Sequence, residues 1–412
     1  HNLPLNETRT PADQAELASV VRIACEHATP LYPLGGETAL DYGLPGRSAG
    51  LGLSLAGLQR VVDYPARDMT VTVEAGITMA DLAQRLAAEG QWLPIEAAEP
   101  QRATLGGVIA TNASGPRRFG QGTIRDYVIG ISAVDGRGTL FHGGGRVVKN
   151  VAGYDFCKLL TGSLGTLGVI TQVTLKVKPR PRASVLVVGD VSDLVHAEKL
   201  LAALGQSRTT PTAVELLAGP HWDDHPQLGS VAPGSVARLV VGLEGTEAEV
   251  AWMVAELARE WRQLGVESSY ALSPDATPPA WNSLTEFAAA REGPAVLKAN
   301  LLPSAVTSFV ELARRLDTQA SIQAHAASGI VIVRLAGLSP SEIAGAVIKR
   351  LQPAATAARG SVVVLHAGPG VEITRQLIWG PARSDLPQML SVKQQFDPRG
   401  ILNPGRFIFP VL

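Results

Sequence analysis

Between residues 185 and 366 one order of elements occurs twice in succession. Apolar runs of strand length and helical stripes alternate as strand 185–191, helix 193–204, strand 212–217, strand 236–243, helix 247–264 and strand 266–271. They then repeat as strand 295–301, helix 305–317, strand 320–324, strand 329–335, helix 340–352 and strand 361–366. Each set is β-α-β-β-α-β, the split motif of ferredoxin-like units. Thr246 with Glu249, and Ser339 with Glu342, have capping-box spacing, and Pro340 suits the first helical position. Val250, Met253, Val254, Leu257, Trp261 and Leu264 form one apolar stripe, as a helix packed on a sheet requires. The expected product is one antiparallel sheet built from two units, with helices on one face. Pro274, Pro278 and Pro279 make Ser273–Pro279 a linker without regular structure in this reading.

The half before residue 183 is organised differently. A helix is expected over Ala12–His27, where Leu17, Val20, Val21 and Ala24 have helical spacing. Strands are expected at Leu51–Leu55, Thr70–Ala75, Tyr127–Val134 and Ile170–Val177, with a helix at Ala80–Ala88 behind a Thr78/Asp81 cap. This is an α+β pattern. The proline-punctuated segment Lys176–Arg182 closes it as a linker, so the domains are read as 1–182, 183–385 and a C-terminal segment 386–412 that returns to the first domain.

Composition excludes several classes. Lys and Arg total 36 against 37 Asp and Glu, which provides no basic footprint for nucleic acid. Cys25 and Cys157 are too few for an iron–sulfur cluster, and reduced thiols in a cytoplasmic protein are the expectation. No apolar run reaches the length of a membrane span. The chain opens at His1 rather than Met, so no targeting signal can be read from its start.

Glycine, at 42 residues, is concentrated in motifs. The first is Pro33-Leu34-Gly35-Gly36-Glu37-Thr38-Ala39-Leu40, whose paired glycines permit positive φ and close approach of the backbone to a ligand. The second runs from Ala103 through Thr104, Leu105, Gly106, Gly107 and Val108 to Thr111, Asn112, Ala113, Ser114 and Gly115. It is small, apolar and uncharged, which suits a short helix packed against a flat ligand or simply against another helix. The third is Gly162-Ser163-Leu164-Gly165-Thr166-Leu167-Gly168-Val169-Ile170, a glycine turn leading into a strand. The fourth, Phe396 to Phe407, contains Leu402-Asn403-Pro404-Gly405-Arg406. No G-x-G-x-x-G comes after a strand, which argues against a Rossmann nicotinamide site.

Taken together and in this order, the four motifs resemble the FAD-binding domain of the vanillyl-alcohol oxidase (PCMH-type) superfamily. Ser114–Arg118, Arg125-Asp126 and Lys149–Asp155 further resemble the smaller flavin (E) subunits of bacterial glycolate oxidases. The resemblance implies a PCMH-type FAD domain with a duplicated ferredoxin-like cap after it. It also implies FAD contacts at Leu34, Gly35, Gly36, Glu37, Thr38, Ala39, Leu40, Thr104, Leu105, Gly106, Gly107, Thr111, Asn112, Ala113, Ser114, Gly165, Thr166, Gly168, Val169 and Ile170, with Asn403 and Arg406 from the terminal motif. Many relatives attach flavin to a histidine after the paired glycines; Glu37 stands there, so non-covalent FAD is expected. The implied partners are a larger FAD-binding subunit and an iron–sulfur subunit, with a small 2-hydroxy acid as substrate. Any membrane association would run through those partners.

Catalytic candidates are fewer. His366 at the end of the last cap strand, with Arg334 and Arg383 as possible carboxylate partners, is the set the sequence offers for hydroxyacid oxidation. No evident constellation of base and cation joins them, so weak or absent turnover by the isolated chain is expected. His221 and His225 have i,i+4 spacing, but Pro220 and Pro226 point to a solvated loop, and no metal site is expected.

Overall fold

A computed structural model describes residues 3–46, 48–145, 153–266, 268–291 and 293–408. His1 and the motif residues Lys149, Asn150, Val151 and Ala152 lie outside them. The chain forms two compact units. One comprises His1–Ser114, Thr123–Arg180 and Pro381–Leu412; the other comprises Gly115–Gly122 and Pro181–Gly380.

In the first unit, strands Leu5–Arg9, Gly50–Ser54 and Leu31–Leu34 make a three-stranded parallel sheet, its middle strand being Gly50–Ser54. A five-stranded antiparallel sheet accompanies it, in the order Val61–Asp63, Thr70–Glu74, Val169–Lys176, Val128–Val134, Leu140–Gly144. The helix expected at the start is Gln14–Glu26, capped by Asp13 and burying Leu17, Val21 and Ala24. Met79–Ala87 starts at Thr78, whose hydroxyl accepts from Asp81 N. The C-terminal segment joins this unit through Leu31. Leu31 N donates to Ile401 O at 2.7 Å, and Asn403 N donates to Leu31 O at 2.8 Å.

The second unit is an eight-stranded sheet, ordered Ser269–Ala271, Ala183–Val191, Ala237–Gly245, Ala213–Ala218, Ser321–His325, Ile330–Leu335, Ala295–Asn300, Ser361–Ala367. All its pairings are antiparallel. Within each half the second strand of the motif is innermost, so the halves meet where Ala213–Ala218 pairs with Ser321–His325. Both predicted capping boxes form, at Thr246/Glu249 and Ser339/Glu342. The long helices pack on one face, where the missing side chain of Gly189 admits the Trp261 ring: a Cβ there would lie 2.6 Å from it.

Two expectations are corrected. The prolines at 278 and 279 do not oppose regular structure; they occupy the first turn of the helix Thr277–Glu286, where an absent N–H costs nothing. That helix covers part of the opposite sheet face, with Trp281 filling the space left by Gly242. The segment around His221 and His225 is a solvated loop only in part: His221, Asp223 and Asp224 are exposed, but the rest folds inward. Pro220–Asp223 is a short helix, Trp222 is fully buried, and His225 is only 6% exposed. One side of the His221 ring packs on Trp222 and Phe287 while the residue stays exposed, and that partial burial, then the charges of Arg334 and His225, lowers it to about 4. Among the described residues no group of three or more His, Cys, Asp or Glu could hold a metal ion, and no helix is long and apolar enough to cross a membrane.

Candidate functional site

The first unit brings its four glycine motifs together. Loop 34–40 leaves the strand Leu31–Leu34 and lies against the backbone of residues 102–104. A Cβ on Gly36 would sit 1.6 Å from Arg102 O, and one on Gly35 would sit 2.2 Å from Thr104 Oγ1. The glycines are therefore required for close approach. The left-handed residue of the loop is Glu37, at φ 60°, and neither glycine has positive φ, contrary to one of the two expected roles. Thr104 caps the helix Leu105–Thr111 by accepting from Gly107 N, and Gly106 packs on Ala75. Asn112, left-handed at φ 50°, ends the helix.

The third motif docks on that helix end. Gly162 N donates to Ile109 O, and Leu164 N donates to Ala110 O, both at 2.9 Å. Leu164 and Gly165 are left-handed, at φ 52° and 65°. The fourth motif fastens the first and third: Asn403 Nδ2 donates to Leu164 O at 2.7 Å, and Arg406 Nη2 donates to Leu40 O at 2.6 Å. Lys393, almost fully buried, donates to Thr166 O and Leu402 O and is paired with Asp397. Burial pushes Tyr42, beside Arg406, up to about 12.

The cradle fits FAD by two observations. Gly35 and Gly36 let loop 34–40 close on residues 102–104 with no side chain between them, which sets two glycine motifs side by side. In addition, Asn112 Oδ1 and Ser163 Oγ, on the two segments that meet at Gly162, are buried without a hydrogen-bond partner. A cavity of about 400 Å³ lies along the same turn, lined by Ser163, Thr166, Leu167, Met389 and Phe407 among others.

The second unit places the catalytic candidates differently. Arg334 and His366 both stand opposite Val296, so they share one row of the sheet. Arg334 lies over the Phe287 ring at 3.9 Å and donates to Phe287 O. Arg383 belongs to the first unit and is ion-paired with Asp385 at 2.7 Å, both well exposed.

A polar row missed in the sequence lies on the face that carries Trp281. Register puts Lys298 and Gln323 on either side of Ile332, and His325 opposite Glu215. Glu215, fully buried, accepts from Gln323 Nε2 at 2.8 Å and from His325 Nδ1. Lys298 is half-buried and makes no hydrogen bond or ion pair among the described residues. Burial, then the charge of Arg118, lowers it to about 8. Arg118 arrives on segment 115–122, which is seated by Gly120 N donating to Thr212 O and by Arg117. Arg117 donates to buried Glu244 at 2.7 Å and lies 3.6 Å over the Trp281 ring. The signal was present but faint: Glu215, Gln323, His325 and Lys298 are single polar positions in otherwise apolar strands.

Comparison with known proteins agrees with this architecture. Residues 8–144 match the family of the FAD binding domain, and residues 180–407, more than half the chain, match that of FAD linked oxidases, C-terminal domain. The chain belongs to the FAD-linked oxidases. Its cofactor is FAD, and its class is that of FAD-dependent oxidoreductases with a PCMH-type fold. Among relatives, glycolate oxidase subunit GlcD of Bacillus subtilis is 29% identical over 210 residues, covering 51% of this chain and 45% of its own. Glycolate oxidase subunit GlcE of Escherichia coli is 36% identical over 177 residues, covering 43% and 50%. This chain thus spans about half the length of those two relatives. The mitochondrial cytochrome D-lactate dehydrogenase of Arabidopsis thaliana is 27% identical over 425 residues, covering 97% of this chain and 73% of its own. A solved alkyldihydroxyacetonephosphate synthase shares the fold, with TM-score 0.71 at 18% identity over 96% of this chain and 75% of that one.

Proposed function

We propose that this chain oxidises a small 2-hydroxy acid, glycolate foremost, to the 2-oxo acid as the smaller FAD-binding subunit of a glycolate oxidase complex. The observation that carries the substrate class is Lys298. An unpaired ammonium enclosed in a sheet, beside a second cation, is unfavourable until an anion arrives. A carboxylate supplies that charge, and the apolar neighbours Ile332 and Val296 limit the rest of the acid to a small group. FAD, when bound, supplies the two-electron acceptor. Around it, this chain's part is to hold the pyrophosphate with the backbone of residues 35–38, and to fix loop 34–40 through Arg406.

The partners proposed are a larger FAD-binding subunit and an iron–sulfur subunit, which receive the electrons; Cys25 and Cys157 cannot ligate a cluster here. Similarity to glycolate oxidase subunits supports this arrangement. The near-complete match to a D-lactate dehydrogenase favours a second reading, a dehydrogenase active on its own. The test is anaerobic mixing of the FAD-loaded chain with glycolate or D-lactate while the flavin band is monitored. Slow bleaching by glycolate that the larger subunit accelerates supports the first reading; rapid bleaching of the chain alone by either acid supports the second. Absence of bleaching until the larger subunit is added would make the chain an electron relay and overturn substrate oxidation here.

A further inference from the structure

The seam between the two sheet halves holds a pair that FAD binding does not require. Glu215 and His325 are directly opposed across it, one from each half. The carboxylate is 0% exposed and takes both the Gln323 amide and His325 Nδ1, the latter at 2.8 and 2.9 Å from its two oxygens. A carboxylate receiving an amide N–H acts as acceptor, so the proton between the pair belongs to Nδ1. The other ring nitrogen, Nε2, is then left with its lone pair and has no hydrogen-bond partner among the described residues. It is not one of the buried orphan atoms, so it reaches accessible space.

Lys298 is on the same face. His325 and Asn300 flank Ile330, and Gln323 and Lys298 flank Ile332. The lysine and histidine are thus two strands apart with an offset of two residues, roughly 12 Å between Cα atoms at usual sheet spacing. On one face and over that span, a long lysine and a histidine can meet the two ends of an acid of two or three carbons. The cation and the lone pair would then face its two ends. Resting on the 2-hydroxy acid reading above, we propose that His325 recognises the substrate hydroxyl: Nε2 accepts its O–H while Lys298 takes the carboxylate, and Glu215 is the positioning residue that fixes the imidazole tautomer. The arrangement distinguishes a hydroxy acid from an acid of similar size that has no O–H to give.

The test measures binding without turnover. Full-length FAD-loaded protein, reduced anaerobically so that it cannot accept electrons, is titrated calorimetrically with glycolate, methoxyacetate and acetate. Glycolate is expected to bind at least tenfold more tightly than methoxyacetate. His325→Ala should erase that preference, and Glu215→Gln should reduce it, whereas Lys298→Met should weaken all three acids together. Nitrogen-resolved NMR of the imidazole supplies a readout independent of affinity: the Nδ1–H tautomer in the wild type, lost in Glu215→Gln. Equal affinity for glycolate and methoxyacetate, a preference that survives His325→Ala, or an Nε2–H tautomer each overturns the inference and leaves the carboxylate site standing. If none of the three acids binds, the carboxylate site itself is overturned, and the hydroxyl assignment with it.

Discussion

Arg117 and Trp281 are stacked, the guanidinium carbon 3.6 Å from the ring centroid, while the same guanidinium binds the nearly inaccessible carboxylate of Glu244. Ser184 Oγ joins them, donating to Glu244 Oε1 and accepting from Trp281 Nε1. These contacts hold segment 115–122 on the cap sheet, and with it the Arg118 charge that acts on Lys298. Arg117→Ala strands a buried carboxylate, and breaking such a pair typically costs about 3–5 kcal/mol. The expected outcome is a lower midpoint for the second unit in thermal unfolding, with Arg117→Ala/Glu244→Gln recovering much of the loss. A midpoint unchanged by Arg117→Ala would contradict it.

The proposed flavin cradle depends on backbone contact at Gly36. Any Cβ there must displace Arg102 O, 1.6 Å away, so even Gly36→Ala should lose most of its flavin, and Gly36→Val all of it. The ratio of flavin absorbance to protein in purified variants checks this; full occupancy would mean that the loop is not the binding site.

Glu37 stands where a histidine would be needed for covalent attachment, and its backbone is left-handed. Acid precipitation is therefore expected to release all yellow colour into the supernatant. Colour retained in the pellet would refute non-covalent binding.

Anion binding should weaken as pH rises through about 8, where Lys298 loses its proton, although a bound carboxylate shifts that midpoint upward. The charged and titratable groups on that face are Arg118, Arg334 and His366 in the row of Val296, and His325 and Glu215 beyond Gln323. The sign for stability is opposite. A lysine depressed from 10.5 binds its proton less tightly in the folded chain, so stability rises with pH between about 8 and 10.5. Lys298→Met should raise the melting temperature by a few degrees at pH 7 while acetate and glycolate binding is lost. Unchanged binding in that variant would remove the basis for the substrate class.

The duplicated β-α-β-β-α-β order was legible from apolar period alone because each strand and helix buries one face, and two capping boxes marked where helices begin. The glycine motifs were equally legible, but their physical role was not. Sequence suggests positive φ at Gly35 and Gly36, whereas the need is imposed by Arg102 and Thr104, more than sixty residues away. Pro278 and Pro279 were misread for a related reason, since proline both ends and begins helices and only the chain direction after it decides which.

Local pattern in the chain was therefore enough for the repeated sheet and for the glycine motifs that meet in the first unit. The polar row came only with the assembled sheet. Period-two alternation tells which face Lys298, Gln323, His325 or Glu215 occupies, but not which strands become neighbours. Glu215 and His325 are 110 residues apart, and only the joining of the two halves through their second strands sets them opposite each other.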